Sequence, residues 1–74
     1  MTASLIEDVV LANLEGLSHA YDGGWIPMDV ILGAVPRARD ATPYVHGFQV
    51  AYALRRLASR GLVEMRDGMW RRRG

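Results

Sequence analysis

Residues 62–73 read L-V-E-M-R-D-G-M-W-R-R-R, two short runs of strand-forming residues divided by Asp67-Gly68. A two-residue type I′ turn needs positive φ at both central positions, and Asp-Gly is among the pairs that tolerate it. The turn fixes the register: Arg66 faces Met69, Met65 faces Trp70, Glu64 faces Arg71 and Val63 faces Arg72. Val63, Met65 and Trp70 then share one face and should pack down on the rest of the fold. Glu64 and Arg71 should neutralise each other across the strands. Just upstream, Val50 to Arg60 carries a helical pattern that Gly61 can end in a left-handed conformation.

Seventy-four residues make a single domain, 1–74. A chain this short buries only about 60% of its unfolded surface, so its stability is modest. With no cysteine, neither a disulfide nor a thiolate metal site can add to it. Half the residues are hydrophobic, which argues against disorder. No apolar run approaches the roughly 18 residues of a membrane span. The first residues lack the cationic segment of a secretory signal, so a cytoplasmic protein is expected. All nine basic residues are arginine, a codon-usage sign of a GC-rich genome, actinobacterial or phage.

Net charge is only +1, but it is unevenly spread. Residues 1–40 hold two arginines against six acids, net −4, and residues 41–74 hold seven arginines against two acids, net +5. A basic end of this kind steers toward phosphates while the acidic end stays away.

Ser4-Leu5-Ile6-Glu7 fits a capping box, which opens a first helix over Ser4–Tyr21. Ile6, Val10, Leu14, Leu17 and Tyr21 form its apolar stripe, widened by Leu5, Val9, Ala12 and Ala20. Two readings account for that width. In one the helix is central and contacted from two sides; in the other part of it (Leu5, Val9, Leu11, Ala12) docks on a second copy. Asp22-Gly23-Gly24 stops the helix, Trp25-Ile26 supplies a short strand, and Met28–Val35 a second helix that Pro36 ends. Thr42-Pro43 caps and opens a third helix over 43–60. Its buried face holds Val50, Ala53, Leu54, Leu57 and Ala58. Its outer face holds Val45, Phe48, Gln49, Tyr52, Arg55, Arg56 and Ser59. His46 projects nearer the buried side, as a core histidine with a backbone partner.

The run L-R-R-L-A-S-R-G-L-V-E-M-R-D-G-M-W-R (residues 54–71) resembles the last helix and wing of a winged helix-turn-helix domain, as in MarR-like and PadR-like bacterial regulators. The likeness extends through Gly24-Trp25-Ile26 and Met28–Val35 to the first helix, and so covers nearly the whole chain. Residues 36–43 are longer than the turn such regulators usually place there. The resemblance implies an α+β fold in the order α-β-α-α-β-β with a short two-stranded wing. It also implies a small DNA-binding regulator, or a phage repressor or accessory factor, bound to double-stranded DNA.

In that arrangement Gln49, Tyr52, Arg55 and Arg56 would meet the major groove. Arg66, Arg72 and Arg73 of the wing, with Arg37 and Arg39 after the second helix, would hold phosphates. The alternative is a protein-interaction module using the exposed aromatics Tyr44, Phe48 and Tyr52. Nothing in the chain has the spacing of a catalytic, metal or cofactor site, and an enzyme is not expected.

Overall fold

The computed structural model describes the backbone of residues 2–73 and the side chains of residues 6–73. The described elements are α1 (Thr2–Leu17), β1 (Ile26–Pro27), α2 (Met28–Ala34), α3 (Pro43–Ser59), β2 (Val63–Arg66) and β3 (Met69–Arg72). Two single 3₁₀ turns, Ser18–Ala20 and Asp22–Gly24, lie between α1 and β1. The chain is thus an α+β domain of three α-helices and one three-stranded antiparallel sheet.

The sheet order is β1-β3-β2, so the hairpin's second strand is central and the two-residue β1 pairs with it. The hairpin register is the expected one, from Val63↔Arg72 to Arg66↔Met69. Asp67 and Gly68 take φ of 53° and 78°, the two left-handed residues that a twisted two-residue turn requires. β1 is Ile26–Pro27 rather than Trp25-Ile26, with Ile26 opposite Trp70 and Pro27 opposite Met69. Proline is tolerated there because β1 is an edge strand.

α3 starts as its sequence requires: the Thr42 hydroxyl accepts from the Val45 N–H at 3.1 Å and Pro43 occupies the first turn. It ends in a Schellman arrangement. Leu62 N–H donates to Leu57 O and Gly61 N–H to Ala58 O, both at 3.0 Å, with Gly61 at φ 76°. This closure points the chain directly into β2.

Val10 and Leu14 of α1, Ile26, Ile31 and Val35, Val50, Ala53, Leu54 and Leu57 of α3, and Val63 make one buried core. Each of the larger side chains contributes about 1.5–3 kcal/mol on leaving water. His46 is also buried, its Nε2 3.0 Å from Leu32 O, and so ties α3 to α2.

Several sequence expectations need correction. The α-helical part of α1 ends at Leu17, where the Ser18 hydroxyl donates back to Glu15 O at 2.8 Å, an interaction that competes with continued helix. Ala12 and Ala20 are exposed and do not widen the buried stripe. Val9 and Leu11 pack against the domain's own core, because α1 touches α3, α2 and β3 together. Leu5, expected at a dimer contact, and Ser4, expected to cap, lie outside the described side chains. Met65 does not pack down with Val63 and Trp70. It stays 56% exposed, two residues further along the outer strand, with no strand beyond it.

Candidate nucleic-acid interface

The exposed side of α3 is built by elementary helix periodicity. With Val50, Ala53, Leu54 and Leu57 turned inward, Tyr44, Phe48 and Tyr52 fall at four-residue spacing on the other side, beside Val45, Gln49, Arg55 and Arg56. Tyr44, Phe48 and Tyr52 are 74%, 60% and 58% exposed. The first two meet edge to face, ring centroids 4.8 Å apart. Gln49 and Arg55 are exposed as expected.

Arg56 is not free. Its Nε donates to Glu7 Oε2 at 2.7 Å, and Arg60 Nη2 donates to Glu7 Oε1 at 2.5 Å. The capping-box pattern gives Glu7 a local backbone partner at the start of α1. Instead it is only 3% exposed and reaches across to α3. The reason is positional: Glu7, Val10 and Leu14 share one face of α1, and the last two are fully buried. The hydrogen bond to Glu7 holds the Arg56 pKa above its ordinary value, and its guanidinium stands 5.8 Å from the Tyr52 ring.

On the hairpin, alternation places Arg66, Arg71 and Arg73 on one face of the sheet and Arg72 on the other. Arg71 Nε donates to Glu64 Oε2 at 2.6 Å and Nη1 to Gly23 O at 3.2 Å. The guanidinium groups of Arg71 and Arg66 lie 4.4 and 4.9 Å from the Trp25 ring. The hydrogen bond from Arg71 pulls the Glu64 carboxyl below its ordinary value; desolvation opposes this, and the charges of Arg71, Arg73 and Arg66 add to it. The expected neutralisation of Arg71 by Glu64 is therefore present. Arg72, expected among the free phosphate ligands, pairs with Glu15 of α1.

Charge segregation along the chain is thus partly cancelled in space. The two carboxylates of α1 that draw in basic residues, Glu7 and Glu15, are eight positions and about 12 Å apart along the helix. The paired arginines are therefore spread along the body rather than gathered on one flank. Arg37, Arg39, Arg55, Arg66 and Arg73 are exposed, with no carboxylate partner among the described residues.

Two residues that matter here carried a readable signal. Glu7 sits three residues before Val10 and seven before Leu14. Trp25 immediately precedes β1, the strand that pairs with β3 and its Arg71. An open cleft of about 820 Å³ is rimmed by Glu15, His19, Glu64, Arg71 and Arg72; its charges are mixed and already paired in part. Among the described residues no three metal-ligating side chains cluster, and no helix is long and apolar enough to cross a membrane. Comparison of the chain with known protein families, curated proteins and solved structures gives no match.

Proposed function

We propose that this chain is a winged helix-turn-helix domain that binds double-stranded DNA, as a small transcriptional regulator or accessory factor. The supporting observation is that five arginines without carboxylate partners among the described residues lie on α3, on the α2–α3 connector and on or beside the hairpin. α3 would enter the major groove. Gln49 there suits an adenine edge, Arg55 a guanine or phosphate, and Tyr52 a phosphate oxygen. Arg66 and Arg73 of the wing and Arg37 and Arg39 of the connector would hold the backbone. The order α-β-α-α-β-β and the sheet order β1-β3-β2 support this reading of the topology.

The test is fluorescence anisotropy on a short random duplex from low to moderate salt. About five phosphate contacts would give a log–log slope near −4.5. No binding at the lowest salt ends the reading.

One observation favours a second reading. Tyr44, Phe48 and Tyr52 form an exposed aromatic row, the kind of patch that anchors a protein partner. Binding through that row would respond little to ionic strength, so the same titration separates the two.

A further inference from the structure

The geometry points to Glu7 as the positioning residue that decides how much of α3's positive charge a nucleic acid can use. The inference rests on the DNA reading above. Three guanidinium groups leave the C-terminal end of α3 and its cap, those of Arg55, Arg56 and Arg60. Glu7 takes two of them, one on each carboxylate oxygen. It is almost fully buried, whereas the two arginine side chains are 49% and 53% exposed.

That asymmetry makes the clasp hard to give up. Phosphates that drew both Arg56 and Arg60 away would strand a buried carboxylate, a far worse state than an unpaired surface arginine. The cluster of Glu7, Arg56 and Arg60 also carries one net positive charge rather than two. Arg55, one residue and about 100° round the helix from Arg56, has no such partner. Among the described residues the duplex therefore meets one unpaired cation here, Arg55, and two that share the clasp's single net charge, and Glu7 rather than the arginine count fixes that balance. Neutralising Glu7 releases two further cations beside the proposed recognition surface.

The experiment is anisotropy on a random duplex, read as the slope of log affinity against log salt, for wild type, Glu7→Gln, Arg55→Gln and the triple variant Glu7→Gln/Arg56→Gln/Arg60→Gln. At about 0.9 in slope per phosphate, Glu7→Gln should be steeper than wild type by up to about 1.8. Arg55→Gln should be shallower by about 0.9, and the triple variant should match wild type. A Glu7→Gln slope equal to or shallower than wild type overturns the proposal, as does a triple variant shallower by about 1.8. If Glu7→Gln alone does not fold, as judged by circular dichroism, the triple variant decides, because it leaves no buried charge unpaired. Wild type silent and Glu7→Gln binding supports the clasp. Both silent at the lowest salt removes the DNA reading and the clasp's role with it. Wild-type binding with an unchanged Glu7→Gln slope removes the clasp alone.

Discussion

Among the described residues three carboxylates hold arginine, and two of them, Glu7 and Glu64, do so in opposite settings. Glu7 lies in the seam between α1 and α3, nearly without solvent, and its partners are 49 and 53 residues away. Glu64 sits on the face of the hairpin, about a third exposed, and its partner Arg71 is seven residues away. The distances are alike, 2.5 to 2.7 Å, but the energetics are not. A surface pair is screened by water and salt and contributes little. A buried carboxylate depends on its partners, here Arg56 and Arg60, because burial has taken it out of water. Hydrogen-bond length alone says little about what an ion pair contributes; burial of the anion says more.

The sharpest way to break this contrast is to remove the partners and keep the buried acid. Arg56→Ala/Arg60→Ala should destabilise the fold by about 3 kcal/mol through the stranded Glu7, read from the urea midpoint at constant slope. A loss no larger than that of Arg71→Ala would show the seam to be wetter than its burial implies. Next in size, Glu7→Gln keeps the shape and removes the charge, and should cost about 1.5 kcal/mol, the value of a charge-assisted hydrogen bond.

In the hairpin the backbone should matter more than the ion pair. Gly68→Ala forces a side chain into the left-handed region and should cost about 1 kcal/mol, visible as a lower melting temperature. The smallest effect belongs to Glu64. Its pKa is lowered in the fold, so its contribution is present above the ordinary carboxyl value of 4.5 and is lost as pH falls through the lower folded value. The melting-temperature difference between wild type and Glu64→Gln should therefore be slight at neutral pH, vanish in acid and vanish again at 1 M salt. A difference that persists in acid would mean the carboxylate acts other than as an ion.

The hairpin's turn and register are legible in the sequence because their determinants are local. Asp67-Gly68 sets the turn, the turn sets the register, and the register sets the faces. The same holds for α3, whose start at Thr42-Pro43 and stop at Gly61 are written in neighbouring residues. What escaped the sequence is tertiary. Glu7 matched a capping box and also sat in register with Val10 and Leu14, and only the fold decides between a local and a distant partner. Arg72 looked free because its partner, Glu15, lies far back in the chain. Met65 looked buried because alternation gives its face but not how far the helices reach along it. Of the candidate interface, Gln49, Tyr52 and Arg55 were legible as exposed, whereas Arg56 was legible as exposed but not as occupied.

The sequence separation of the Glu7 bonds bears on folding kinetics. α3, its Gly61 stop and the hairpin are consecutive, so their contacts close small loops and can form early. The bonds from α1 to Arg56 and Arg60 close loops of about fifty residues and belong to the final docking step. Glu7→Gln should then accelerate unfolding and leave the refolding limb of a stopped-flow chevron nearly unmoved. On that account the seam acts as a latch on the native state's lifetime rather than a guide to reaching it.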